Sequence, residues 1–194
     1  VGHGGFLLGM LLVLGVALLI VVLSVMNGFD RELRERILSL VPHVSLQPIE
    51  PVSDWRPLAA AVEAHPEVVA DAPYVDLQGL LMYRGKVVPA LLHGADAAAE
   101  RRISAIDRYL ESGSLDALAA PDSVLLSRSL ARRLGVAAGA SLLVLVPDVN
   151  AEGQVVPRAQ RMTLAGIFDT GTEVDNTLAL IGLDAATRLR GQPG

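Results

Sequence analysis

The stretch FLLGMLLVLGVALLIVVLSVM, residues 6–26, decides the architecture, because all but three of its 21 residues are apolar. No charged side chain lies between Gly4 and Phe29. An α-helix of this length, at about 1.5 Å per residue, matches the roughly 30 Å hydrocarbon core of a bilayer. The sequence therefore predicts a transmembrane helix over residues 6–28. A cleaved secretory signal is the alternative, but its apolar region runs only about 7 to 15 residues.

The residues on either side of this stretch bear on where the helix begins, where it ends and which way it points. The chain starts without a methionine and has no basic residue before the stretch, so we expect residues 1–5 to be a truncated N-terminus. Apolar residues recur at helical spacing afterwards (Phe29, Leu33 and Ile37), which predicts a stalk helix over residues 29–42. Three arginines in this stalk would place the following domain in the cytoplasm by the positive-inside rule, but interleaved acidic residues leave the stalk without net charge.

The composition of the chain excludes several classes of protein. There is no cysteine, which excludes a disulfide scaffold and a thiol nucleophile. The formal net charge is −5 without a basic cluster, so nucleic acid is not an expected partner. The single lysine, Lys86, lies in a predicted turn and not in a glycine-rich phosphate loop. We therefore expect no nucleotide binding and no ATP hydrolysis by this chain.

Residues 43–194 predict a domain of the α+β class, because strand and short-helix patterns are mixed without regular alternation. Apolar and polar residues alternate from Val75 to Tyr83, and Arg84-Gly85-Lys86 should turn the chain back as a β-hairpin. The block SVLLSRSLARRLGVAAGASLLVLVP, residues 123–147, predicts a strand, a helix with a serine N-cap and a terminal glycine, and a second strand. That second strand is apolar throughout, which predicts burial on both faces.

A polar excursion from Asp148 to Ala159 separates this strand from the next apolar segment. It contains glycine and proline and is too long for a tight turn. A loop of this length in a compact domain is usually functional or disordered. We therefore treat Asp148 to Ala159 as a candidate binding loop.

Few side chains have the spacing of a catalytic or metal site. Asp169, Glu173 and Asp175 could bind a cation or supply paired carboxylates, but the turn residues among them favour a solvated turn. The four histidines lack metal-ligand spacing. Ser127 is better explained as a helix cap than as a nucleophile. We expect no catalytic residue, no metal and no cofactor.

One run of sequence is more specific than these patterns: IVVLSVMNGFDRELRERILSLVPHVSL, residues 20–46. It resembles the first transmembrane helix and the start of the periplasmic part of the LolC/LolE family, the membrane subunits of the lipoprotein-releasing ABC transporter. The resemblance continues through residues 125–136, 156–168 and 171–189 and so covers nearly the whole chain. It implies a MacB-like periplasmic core domain with a mixed α/β subdomain and a smaller β-rich one, followed in the family by three further helices.

The resemblance implies a bacterial inner-membrane protein with a cytoplasmic N-terminus and a periplasmic domain, which reverses the positive-inside prediction. Its partners would be a sister membrane subunit and a dimer of ATPase subunits, where ATP hydrolysis is expected. Such a complex extracts triacylated lipoproteins from membrane lipid and passes them to a periplasmic lipoprotein carrier. The alternatives are a MacB-like or division-type transporter subunit with a different cargo or partner, and an anchored enzyme with a catalytic site.

The resemblance further implies a binding site for lipoprotein acyl chains on the membrane helix. Val22, Val25, Met26 and Phe29 lie on one helical stripe and match family positions that line the lipid cavity. Methionine suits this role because its flexible thioether adapts to differently shaped chains. Ordinary helix packing or lipid contact is the alternative interpretation.

A second implied site binds the carrier, because the polar excursion matches the position of a β-hairpin hook in LolC-type subunits. The implied hook residues are Gly153, Val155, Val156, Pro157, Gln160 and Arg161. Two features depart from the family pattern: the spacing from the proline to the Gln-Arg pair is one residue longer, and the tip is poorer in apolar residues. The sequence therefore leaves open a LolC-type or a LolE-type subunit. A solvated strand-edge role for Arg161 is also open.

Overall fold

The computed structural model describes residues 10–26, 44–46, 55–149 and 155–191. The chain divides into two compact units, Val1–Val44 and Ser45–Gly194. In the first unit residues 10–26 are helical (α1), and their large apolar side chains are 48% to 70% exposed. Within the described ranges, no helix combines the length and the hydropathy that crossing a membrane requires. The predicted stalk over residues 29–42 lies outside the described residues.

The second unit combines one β-sheet with short helices, which confirms the α+β class. Its strands are β1 (Tyr74–Tyr83), β2 (Lys86–Ala95), β3 (Leu110–Ser112), β4 (Ser123–Ser127), β5 (Ser141–Val149), β6 (Val155–Phe168) and β7 (Leu178–Gly182). Its helices are α2 (Arg56–Glu63), α3 (Ala97–Ile103), α4 (Arg128–Leu134) and α5 (Leu183–Arg190), with 3-10 segments at Ile106–Tyr109, Leu115–Ala119 and Glu173–Asn176.

The sheet has the strand order β3-β6-β4-β7-β2-β1-β5, and β5 also pairs with β6. Six strands therefore close on themselves. The long strand β6 makes this closure possible, because it pairs with β5 up to Thr163 and with β4 from Thr163 onward. All described strands belong to this one sheet, so the separate, smaller β-rich subdomain that we expected is not seen within the described residues.

Local sequence signals produce the elements that we predicted most directly. The β1–β2 hairpin turns at Arg84 and Gly85, whose φ angles of 46° and 82° are those of the turn that matches strand twist. Helix α4 is capped at its N-terminus by Ser127, whose hydroxyl accepts a hydrogen bond from the Leu130 N–H, and at its C-terminus by Gly135 with φ 70°.

The prediction that β5 is buried on both faces is wrong. Leu142 and Val144 are buried, whereas Leu143 and Leu145 between them are only half-buried. Strand β4 is buried on both faces instead, as is β7 from Ala179 onward. One face of β4 packs with α4 and α5 into the main core, and its other face packs through Leu125 against the 3-10 segments. The outer face of β5 is therefore more exposed to solvent than its uninterrupted run of apolar residues predicted.

Candidate functional site: a hairpin arm and an exposed apolar helix

Strands β5 and β6 form a hairpin whose outer part extends beyond the closed sheet. They pair in continuous register from Ser141 opposite Thr163 to Val149 opposite Val155. Strand β1 pairs with β5 only as far as Leu145, and β6 meets β4 only from Thr163 onward. Residues 146–149 and 155–158 therefore form a two-stranded arm, called here the hairpin arm.

The hairpin arm corrects the predicted loop over Asp148 to Ala159. Strand pairing includes residues 148–149 on one side and 155–159 on the other. Sequence patterning missed these strands because polar residues and prolines interrupt the apolar alternation that marks a strand. Gly153, one of the predicted hook residues, lies outside the described residues.

Two predicted site residues lie at an exposed part of the hairpin arm. Val156 is 47% exposed, and Pro157 is exposed opposite Pro147 on β5. Val155 pairs through its backbone with Val149. The two facing prolines lack N–H groups, so this level of the ladder has fewer hydrogen-bond donors than a regular strand pair.

The predicted Gln-Arg pair at the base of the hairpin arm is divided between the two faces of β6. Gln160 is half-buried, and its Nε2 donates a hydrogen bond of 2.8 Å to the carbonyl of Pro121. Arg161 lies on the opposite, outer face, across from Leu143 on β5, and is exposed. Within the described part of the chain, no hydrogen bond or ion pair occupies its guanidinium. Gln160 is therefore engaged within the domain, whereas Arg161 is available to a partner.

The structure adds a charged pair that sequence reasoning missed. Arg158 Nε donates a hydrogen bond of 2.7 Å to Asp148 Oδ2 across the hairpin arm. The register of β5 against β6 creates this contact, and no local sequence pattern indicates that register. The pair joins the two strands of the arm on the face opposite Arg161.

Three of the four predicted acyl-chain residues lie in α1. Val22, Val25 and Met26 are 48%, 66% and 66% exposed, and their spacing places them along one face of the helix. Phe29 lies outside the described residues. The described stripe is thus an uncharged, exposed apolar surface.

A family model for the MacB-like periplasmic core domain matches residues 7–193. The chain belongs to this family. It is 36% identical over 177 residues to the lipoprotein-releasing system transmembrane protein LolC of Neisseria meningitidis serogroup B, covering 89% of this chain and 43% of that protein. LolC of Xylella fastidiosa strain Temecula1 is 32% identical, with 93% and 45% covered, and LolE of Haemophilus influenzae is 29% identical, with the same coverage.

These matches confirm the resemblance to the LolC/LolE family. The chain spans less than half the length of the curated relatives that it matches.

The MacB-like domain also contains a histidine between two carboxylates. His93 on β2 lies opposite Asp76 on β1, with 2.6 Å between Nδ1 and Oδ1, and its Nε2 is 3.9 Å from the buried Glu100 of α3. Burial opposes protonation, but the hydrogen bonds and charges of Asp76 and Glu100 outweigh it and raise the pKa of His93 to about 9. This cluster attaches α3 to the hairpin.

The predicted Arg84-Gly85 turn is sufficient to predict that Asp76 and His93 face each other. Tyr83 pairs with Lys86, so seven steps along each strand place Asp76 opposite His93. Glu100 comes from a separate helix, and its approach depends on tertiary packing that the local pattern does not contain.

The acidic cluster after β6 is a turn, as predicted, although the turn is not solvated throughout. Asp175 is buried, and its carboxylate accepts hydrogen bonds from Thr170 N, Thr170 Oγ1 and Gly171 N at 2.9 to 3.0 Å. Burial raises the pKa of Asp175. The carboxylate is occupied by backbone and hydroxyl donors of its own turn, which explains the acidic residue without a cation.

Proposed function

We propose that this chain is part of a membrane subunit of an ABC transporter that extracts lipoproteins from the bacterial inner membrane and hands them to a periplasmic carrier. The observation that carries the proposal is the 36% identity to LolC over 89% of the chain. The paired hairpin arm at the position of the LolC-type hook supports a LolC-type subunit, as does the lower identity to LolE of 29%. ATP hydrolysis would take place in a separate ATPase dimer, and a sister membrane subunit would complete the complex.

In this proposal α1 is part of a transmembrane helix over residues 6–28, and the MacB-like domain lies in the periplasm. The exposed apolar side chains of residues 10–26 support it, because no charged residue interrupts them. Apolar exposure of this extent is favourable in lipid and unfavourable in water. The stalk over residues 29–42 would connect the helix to the domain.

The stripe of Val22, Val25, Met26 and Phe29 would receive acyl chains as they leave the bilayer. Exposing each CH₂ group to water costs about 0.8 kcal/mol, so a lipoprotein can leave only if another apolar surface accepts its chains. A stripe of branched side chains and a flexible thioether provides such a surface. The uncharged surface of α1 supports this role.

The hairpin arm would bind the carrier. Val156 and Pro157 are exposed on the arm, and Arg161 at its base presents a cation that has no partner among the described residues. An arginine on an exposed face suits a carboxylate-bearing partner, because its planar guanidinium bonds a carboxylate in two places. Gln160 would act indirectly by fixing the base of β6 to Pro121.

A photo-crosslinker at Met26 in the full-length subunit tests the acyl-chain site. We expect it to capture acylated lipoprotein when the complex is assembled in membranes. A matched crosslinker at Leu14, another exposed residue of α1, should capture less of it. Labelling of bulk phospholipid alone at Met26 would contradict the site.

The charge reversal Arg161→Glu tests the carrier site. We expect it to weaken capture of the carrier at least about tenfold, because it replaces an attractive charge at the interface with a repulsive one. Arg132→Glu, an equal charge change at an exposed residue of α4, is the control and should leave capture unchanged. Equal capture by both variants would remove Arg161 from the interface. Capture of a membrane-fusion protein in place of the carrier would favour a MacB-like exporter.

A further inference from the structure

The hairpin arm needs a support, because a two-stranded ribbon is only marginally stable in water. Beyond Leu145 the strand β5 has lost its pairing with β1, and β6 pairs with β4 only from Thr163 onward. Backbone pairing to the rest of the sheet therefore does not set the direction of the arm. Side-chain contacts near its base must do so, and on β5 these include Val146, which is buried in the main core.

Arg158 makes two contacts that meet this need, and the first lies within the arm. Its Nε donates a hydrogen bond of 2.7 Å to Asp148 Oδ2. The two side chains are 46% and 31% exposed. An ion pair this exposed contributes little stability by itself, so it does not explain a fixed arm alone.

The second contact joins the same guanidinium to α5. A Cβ added at Gly191, which ends this helix, would lie 2.5 Å from Arg158 Nη2 and 2.8 Å from Cζ. The guanidinium therefore occupies the space that any side chain at this position would need. The carbonyl end of a helix carries partial negative charge, which favours a cation there. Gly191 also has φ 80°, a conformation that glycine adopts readily.

Helix α5 is a firm anchor for such a contact. Its residues Ala185, Ala186 and Leu189 are buried in the main core. The carbonyl of Pro121 also connects α5 to the base of the arm, because it accepts one hydrogen bond from β6 and one from α5. The donors are Gln160 Nε2 of β6 at 2.8 Å and Arg188 Nη2 of α5 at 3.3 Å.

We propose that Arg158 is a positioning residue that fixes the direction of the hairpin arm by joining it to the C-terminal turn of α5. The arm then meets its partner already oriented, so less conformational entropy is lost on binding. The consequence for carrier capture rests on the proposed function, whereas the attachment of the arm to α5 does not.

Hydrogen exchange in the full-length, detergent-solubilised subunit tests the attachment. For Arg158→Ala we expect the amides of the non-proline residues in 146–149 and 155–158 to exchange about tenfold faster, because the arm opens locally. Amides of Leu142–Leu145 in the body of the sheet should keep their rates. Arg190→Ala removes an exposed cation from the same helix turn and is the control, with unchanged exchange in the arm. Unchanged exchange in Arg158→Ala would overturn the proposal.

Two further variants separate the contact with α5 from the ion pair. Gly191→Ala should accelerate exchange of the arm as Arg158→Ala does, since its Cβ displaces the guanidinium. Gly139→Ala is the control for backbone strain. Gly139 has a similar φ of 84°, but a Cβ added there meets no atom within 4 Å, so this variant should not affect the arm. The exchanged pair Asp148→Arg with Arg158→Asp restores the ion pair but puts a carboxylate at the end of α5. We expect fast exchange in this double variant, and full protection would overturn the role of α5.

Carrier capture gives the second readout. If the wild-type subunit captures the carrier, Arg158→Ala should weaken capture severalfold, and Arg158→Lys, which keeps the cation, should recover part of the loss. If the wild type captures no carrier, the proposed function fails, while the exchange result still decides whether Arg158 holds the arm.

Discussion

Replacing His93 with glutamine should make the domain less stable at pH 6 and have almost no effect at pH 10. The protonated imidazole lies between Asp76 and the buried Glu100, and its pKa is raised from 6.5 to about 9. A raised pKa means that the folded state holds the proton more tightly than the unfolded chain. The stabilisation is therefore fully present below pH 6.5 and is lost as the pH rises through about 9.

The magnitude follows from the same shift. A shift from 6.5 to about 9, at about 1.36 kcal/mol per pH unit, corresponds to about 3 kcal/mol. The His93 side chain is 24% exposed, so solvent screening is limited. Burial raises the pKa of Glu100, but its hydrogen bonds with His93 and Ser104 outweigh burial and lower it. The lowered pKa of Glu100 reflects the same attraction to His93, so it does not change the expected effect between pH 6 and pH 10. Because the carboxylate must be charged for this attraction, the stability that it contributes is lost as the pH falls below 4.5.

The assay is urea unfolding of the detergent-solubilised protein, followed by circular dichroism at pH 6, 7.5, 9 and 10. The difference in unfolding free energy between wild type and His93→Gln cancels the titration of groups that do not interact with His93. We expect this difference to shrink by about 3 kcal/mol between pH 6 and pH 10. His65→Gln, a change at an exposed histidine of the same domain, should leave stability unchanged at every pH. A difference for His93→Gln that does not depend on pH would refute the reasoning.

Three other substitutions should destabilise the domain in the same urea assay at pH 7. Asp175→Ala leaves buried donors of its turn without an acceptor and should cost about 1–3 kcal/mol, whereas Glu173→Ala in the same segment should cost less than about 0.5 kcal/mol. Gly94→Ala places a Cβ 2.2 Å from the Cβ of Ala186 and should cost about 1–3 kcal/mol through overpacking. Gln160→Ala removes one hydrogen bond and should cost about 1 kcal/mol; no loss would contradict its positioning role.

Elements with complete local signals could be predicted from the sequence. The β1–β2 hairpin follows from alternation and an Arg-Gly turn, and α4 follows from a serine cap and a terminal glycine. These features depend on residues close together in the chain. The acidic turn at Asp175 was predicted for the same reason, although its burial was not, because burial depends on what packs over the turn.

Features that depend on closure of the sheet could not be predicted in this way. The apolar run of β5 predicted burial on both faces, yet the 3-10 segments cover β4 instead. The predicted loop from Asp148 to Ala159 is largely paired strand, because cross-strand pairing tolerates polar residues on an exposed ribbon. The contact of Arg158 with Gly191 joins two elements far apart in sequence. It required the register of β6 and the position of α5 together.

The most direct test of the proposed function is transfer of a labelled triacylated lipoprotein from proteoliposomes that contain the full-length subunit with its sister subunit and the ATPase dimer. We expect ATP to move the lipoprotein into the soluble fraction, bound to the carrier, with wild type and Arg132→Glu and much less with Arg161→Glu. Lipoprotein that stays in the membrane while wild-type complex hydrolyses ATP in the presence of carrier would contradict the account.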